Sequence, residues 1–143
     1  MEIERKKLLD TKTKNVLKQN PALKPLLQEL LKLGGTHVIL PVIEEDLSKI
    51  LRRGRTLPGK GSRTMRGRPI SCHSNMARLW KNNNGRILIF TGYALSWDGV
   101  WRQHSWGWDK VDKRVIETTE KRTLYFGFPM SDKEAEKFYW ENE

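Results

Sequence analysis

Residues 52–69, RRGRTLPGKGSRTMRGRP, constrain this chain more than any other stretch. They hold four glycines (54, 59, 61, 67), two prolines (58, 69) and no acid. Glycine and proline at that density disfavour both helix and strand, so the segment reads as a long loop. It cuts the chain into two parts of different character. Before it, apolar residues recur every three to four positions. After it, β-branched and aromatic residues dominate. The chain has 143 residues, the length of one compact domain. Its 37% hydrophobic content supports a modest core and argues against wholesale disorder.

The same segment carries Arg52, Arg53, Arg55, Lys60, Arg63, Arg66 and Arg68, +7 of the formal net charge of +10. An arginine-rich loop holds phosphates and carboxylates through charge and bidentate forks. These seven residues are candidate anion-binding groups. Their ligand could be a nucleic acid, an acidic protein or an anionic substrate. A solvated linker with incidental charge is the simpler alternative.

Residues 1–53 read as a helical N-terminal extension. Residues 3–18 form a polar helix that ends at Asn20-Pro21. Residues 22–33 place Leu23, Leu26, Leu27, Leu30 and Leu31 on one face, with Pro25 in the first turn and Gly34-Gly35 as the stop. THVILPV, 36–42, reads as a short strand and 43–52 as another helix. Residues 54–69 are the basic loop. Residues 70–143 read as an α+β core: a cysteine-bearing helix over 71–80, four antiparallel strands in a meander (86–96, 100–109, 114–119 and 122–128), and a last helix. Ser131 and Glu134 form a capping box for that helix.

Cys72 is the chain's one cysteine, so no intrachain disulfide can form. It falls in the first turn of a helix. Free backbone N–H groups there and the helix dipole stabilise a thiolate. A thiolate nucleophile needs a base, and the base needs an orienting acceptor. His73 diverges from its neighbour by about 100° on a helix and is a poor base for it. His104 lies mid-strand in WRQHSWGW and shares a face with Arg102, Trp106 and Trp108. If DKVD, 109–112, forms a four-residue loop, His104 stands directly opposite Glu117, about 5 Å away at Cβ. A carboxylate beside an imidazole fixes its tautomer.

A cysteine opening a helix, then a histidine strand and an acid on the next strand, resembles the papain-like superfamily and in particular its transglutaminase-like branch. His104-Ser105-Trp106 and Gly92-Tyr93 are similar to sequences found there. The resemblance covers about residues 70–128. It implies a papain-like core with Cys72 as nucleophile, His104 as base and acid, and Glu117 as the histidine's orienter. It implies no cofactor and a protein or peptide substrate. The third member is Glu where Asp or Asn is commoner, and no glutamine precedes Cys72 to supply an oxyanion donor. Asn75 and Gln103 are the substitutes.

Tyr93, Trp106 and Trp108 are further candidates for substrate contact, although packing explains them equally well. A metal site from Cys72, His73, His104 and Glu117 matches no common ligand spacing. His37 is a lesser alternative base, with no obvious acid near it in sequence. No apolar run approaches a membrane span and no signal peptide is evident, so the expected compartment is the cytoplasm. The leading expectation is a cysteine hydrolase or acyl transferase (peptidase, deamidase or transglutaminase-like) whose basic loop recruits an anionic substrate or partner. The competing one is a nucleic-acid-binding protein that uses the arginines for phosphates and the tryptophans, including Trp97 and Trp101, for bases. A protein-interaction module is the third.

Overall fold

The computed structural model describes residues 2–83 and 85–142. Helix α1, Ile3–Gln19, has no fully buried residue, as its polar composition requires. Asn20-Pro21 ends it, and a single 3-10 turn leads into α2, Lys24–Leu33, with Pro25 in the first turn. There the missing N–H costs nothing. Leu23, Leu26 and Leu30 have no exposed surface. β1 is only His37–Val38, and α3, Leu47–Arg53, starts later than the sequence suggests. The intervening Glu44 lies outside any helix and is buried, its carboxylate accepting from the Tyr93 hydroxyl.

Six more strands follow: β2 (Arg55–Pro58), β3 (Arg63–Thr64), β4 (Ile87–Leu95), β5 (Val100–Asp109), β6 (Arg114–Glu117) and β7 (Leu124–Pro129). They pair in the order β2-β7-β4-β5-β6-β3, and β1 adds to β5. The β1–β5 and β3–β6 pairs are parallel and the rest antiparallel. Two expectations change. The basic segment is not all loop, because β2 and β3 pair with β7 and β6 at the two ends of the sheet. The last four strands are not a meander, because β7 returns to pair with β4 rather than β6.

Residues 59–62 alone connect β2 to β3, the first and last strands of that order. Six flat strands would separate them by about 24 Å, whereas the five backbone steps from 58 to 63 reach about 18 Å at most. The sheet must therefore curl strongly. Its concave face buries Phe90, Ala94, Trp106, Val115 and Tyr125, a cluster built from strand residues. Gly127 permits this curl: a Cβ there would lie 2.3 Å from the Thr91 carbonyl oxygen and 2.6 Å from the Trp106 ring. The convex face carries the larger core, in which Leu23, Leu26, Leu30 and Ile50 meet Tyr93, Trp101, Phe126 and Phe128. Residues 20–53 are thus part of the main core rather than an appendage.

Helix α4, Cys72–Asn82, lays Met76 and Trp80 on that convex face. Helix α5, Asp132–Asn142, follows β7. The Ser131–Glu134 capping box forms: the Glu134 N–H donates to Ser131 Oγ (3.2 Å) and the Ser131 N–H to Glu134 Oε1 (2.8 Å). Among the described residues, no helix is long and apolar enough to cross a membrane.

Candidate functional site

Strand β5 is paired along one side with β4. Its other side meets β1 at residues 100–101 and β6 at 107–109. The first turn of α4 approaches the stretch left between them. There the Cys72 sulfur sits beside the His104 ring and the Ser105 backbone N–H, and both favour its thiolate. The helix starts cleanly here. The Asn75 N–H is bonded to the Ser71 carbonyl (2.8 Å), and Ser71 supplies no side-chain cap. The amides of Cys72, His73 and Ser74 are therefore left without helical partners.

His104 and Glu117 meet, although not in the expected register. The loop between β5 and β6 is 110–113, one residue later than the sequence suggests, so Asp109 pairs with Arg114 and Trp108 with Val115. The reason is Asp109. Its carboxylate accepts the N–H groups of Val111 (2.9 Å) and Asp112 (3.1 Å), so it starts the turn from the last ladder position. Lys113 closes the turn at φ 56°. The shift moves the register by two, so facing parity survives and Glu117 stays on the His104 side. Glu117 lies diagonal to His104, and its longer side chain covers the difference.

The His104 Nε2 atom is 2.8 and 3.0 Å from the two Glu117 carboxylate oxygens. Glu117, with no exposed surface, also accepts from the Tyr125 hydroxyl (2.7 Å), the Thr119 N–H (2.9 Å) and the Thr119 hydroxyl (2.9 Å). Tyr125 and Trp106 stack on the imidazole at 6.3 and 6.1 Å. Nε2 is thus committed, and Nδ1 is the ring nitrogen left for the thiol.

The electrostatics favour charge separation. Burial, and to a lesser extent the Glu117 charge, push the Cys72 thiol up, but the neighbouring His104 and the Ser105 N–H outweigh them, so its pKa falls below the ordinary thiol value. Burial pushes His104 down, and the hydrogen bonds and charges of Cys72 and Glu117 more than reverse this. Burial likewise raises the Glu117 carboxyl, while His104, Thr119 and Tyr125 bring it below the usual carboxylate range. His73 is depressed by burial and by the nearby His104, and it takes another partner, the Ser105 hydroxyl at 2.6 Å.

Cys72, His73 and His104 border a cleft of about 750 Å³ with Ile70, Trp97 and Gln103. Gln103 is exposed at this cleft while its amide donates to the buried Glu44 (3.0 Å). Four other candidates lie elsewhere. Asn75 is buried, and its amide clamps both backbone groups of Arg68 (2.9 and 2.8 Å). Tyr93 is on the convex face and donates to Glu44 (2.7 Å). Trp106 fills the curl, and Trp108 packs half-buried against the same cluster, so neither is a wall of the cleft. Trp101 is also fully buried, so it and Trp106 are closed to bases.

The basic segment has divided duties. Arg53 grips Glu134 (3.0 and 3.1 Å) and the Pro129 carbonyl (2.7 Å), which docks α5. Arg52 bonds the Ser48 carbonyl. Arg66 lines the Cys72 cleft, and Arg68 borders a second depression beside Asn75. Arg55, Lys60 and Arg63 are exposed, with no carboxylate partner among the described residues. His37, the lesser base candidate, bonds Asp10 of α1 (2.9 Å).

Comparisons with protein families, curated proteins and solved structures return no match. The site therefore stands on its own geometry.

Sequence reasoning missed Tyr125, Thr119, Ser105 and Glu44. Alternation in RTLYFGF does put Tyr125 and Gly127 on one face, but only the return of β7 to β4 brings that face to Glu117. Nothing in the local sequence signals that Glu44 is buried. Among the described residues, no group of three or more His, Cys, Asp or Glu side chains is arranged to hold a metal ion.

Proposed function

We propose that the protein is a cysteine hydrolase or acyl transferase acting on an amide or ester. The observation that carries this reading is a half-buried thiol beside an imidazole whose Nε2 is held by a buried, four-donor carboxylate. The order of cysteine helix, histidine strand and acid strand supports a papain-like core of the transglutaminase-like kind.

In this reading His104 holds the Cys72 proton, and the thiolate attacks the substrate carbonyl carbon to form an S–C bond. The developing oxyanion lies near the unpartnered amides of the first turn of α4, whose dipole favours negative charge. The tetrahedral adduct collapses, and His104 gives its proton to the departing amine or alcohol. The thioester is then attacked by water, whose proton passes to His104. A carboxylic acid leaves and the thiol is restored. An amine in place of water gives acyl transfer through the same steps. Glu117 keeps the imidazole in one tautomer and balances its positive charge. Arg66 at the cleft supports recruitment of an anionic group near the reacting carbonyl.

An activated aryl ester tests this directly. The expected result is a burst of phenolate and a mass increase of one acyl group on Cys72 that decays by hydrolysis. Absence of a burst, or an equal burst from Cys72→Ala, would contradict the proposal.

A further inference from the structure

Two large apolar side chains at the mouth of the Cys72 cleft have nothing to cover them. Ile70 is 99% exposed and Trp97 is 85% exposed, and both line the same cleft as the thiol. Isolated exposed apolar residues are ordinary. These two differ in sitting on backbone that is held in place, at Ile70 with some strain.

Ile70 has φ 61°, a left-handed conformation that a β-branched residue adopts only when its surroundings impose it. The imposing structure is evident. The buried Asn75 amide holds the Arg68 N–H and carbonyl, and a Cβ on Gly67 would lie 2.3 Å from the Asn75 side chain, so backbone and amide interlock closely. The Ser71 hydroxyl bonds the Pro69 carbonyl on the other side. The backbone that carries Trp97 is fixed by its own turn. Asp98 beside it accepts the Val100 N–H (3.1 Å) and pairs with Arg102 (3.0 Å) and Arg5 (3.3 Å). Gly99 supplies the positive φ that closes the turn.

We propose that Ile70 and Trp97 form an apolar clamp that selects polypeptide substrates with a large apolar side chain next to the reacting carbonyl. The clamp rests on the proposed cysteine chemistry for its purpose but on separate residues for its geometry. Preorganised apolar groups gain affinity because little ordering is left to be done on binding. The same cleft presents the exposed side chains of Arg66 and of Gln103, whose carbonyl oxygen has no hydrogen-bond partner among the described residues, a donor and an acceptor suited to peptide groups. A long acyl chain would need a continuous apolar channel, and the lining of this cleft is mostly polar and charged apart from Ile70, Trp97 and Pro69.

The test uses intact mass to follow alkylation of Cys72 by chloromethyl ketones, which form an S–C bond and release chloride. Two peptidyl ketones of equal length differ only in Phe or Ala beside the warhead. A third reagent is an alkyl chloromethyl ketone without amides. The expected result is a Phe reagent at least about tenfold faster than the Ala reagent, the scale of discrimination an apolar site gives. That ratio should fall towards one in Trp97→Ala and in Ile70→Gly. Iodoacetamide, which has no side chain to be selected, should react at the same rate in both variants and the parent. Equal Phe and Ala rates, a preference unchanged in both variants, or an alkyl ketone as fast as the Phe peptide would overturn the clamp. Iodoacetamide separates the two ideas. An ordinary thiol with a surviving Phe preference overturns the catalysis and keeps the clamp, while an activated thiol without preference does the reverse.

Discussion

Glu117 has no exposed surface, yet four donors hold its carboxylate ionised, so the residue most expensive to bury is also the most completely satisfied. Glu117→Gln turns two amide hydrogens towards groups that are themselves donors. The expected stability loss is about 3–5 kcal/mol, the cost of breaking a buried pair, read from denaturant unfolding. The pH dependence follows from the direction of the shift. The Glu117 pKa is lowered from 4.5, so its contribution to stability is present above that value and is lost as pH falls through the folded value. His104 is raised from 6.5, so its contribution is full below 6.5 and is lost as pH rises through its folded value. Thermal melts should therefore lose stability on the acid side below pH 4.5 in the parent, and Glu117→Gln should flatten that limb. Ile70 makes the complementary case at the cleft. Its left-handed backbone costs about 1–2 kcal/mol, which Ile70→Gly relieves against a larger unfolded-state entropy. The variant should be unchanged in stability or up to about 1 kcal/mol more stable. A loss of stability would place Ile70 in the packing instead.

At the scale of elements, the β5–β6 hairpin sets the geometry of the site, and its turn was only partly legible. The sequence DKVDKR offers Asp109 and Asp112 equally as turn residues, and only the hydrogen bonds of Asp109 decide between them. Because the difference moved the register by two, Glu117 lies diagonal to His104 on the same face and still reaches it; a difference of one would have put Glu117 on the other face. Lys113 sits left-handed in that turn, so Lys113→Gly should raise stability by up to about 1 kcal/mol without changing Cys72 alkylation. A change in alkylation would mean that the turn tunes the site. The capping box was legible because it is a local signal, carried by Ser131 and Glu134 three residues apart. β2 and β3 were hidden for the opposite reason. Segments of four and two residues in a glycine-rich stretch have no pattern of their own and are strands because β7 and β6 offer them partners.

At the scale of the whole molecule, the curl of the sheet explains most of what alternation could not tell. Period-two reasoning correctly grouped His104, Trp106 and Trp108 on one face but had no means of knowing that this face turns inward. Trp106 therefore became packing, and the exposed aromatic at the cleft was Trp97, from a turn. Long-range placement also hid Glu44, whose partners Tyr93 and Gln103 are 49 and 59 residues away. Helix α1 stands outside this plan, held by Arg5–Asp98, by Asp10–His37 and by the half-buried Val16 and Leu17. Removing residues 1–19 should cost about 2–3 kcal/mol, the worth of those two apolar side chains, and leave a cooperatively folding protein. An unfolded remainder by circular dichroism would contradict that division.

The central claim is that Cys72 and His104 form a charge-separated pair held by Glu117, and the rate of iodoacetamide alkylation across pH reads it most directly. A lowered thiol pKa predicts rapid alkylation extending below the ordinary value of 9.0, with the titration moving back towards 9.0 in His104→Ala. A thiol that titrates at its ordinary value in the parent, unchanged by His104→Ala, would contradict the account.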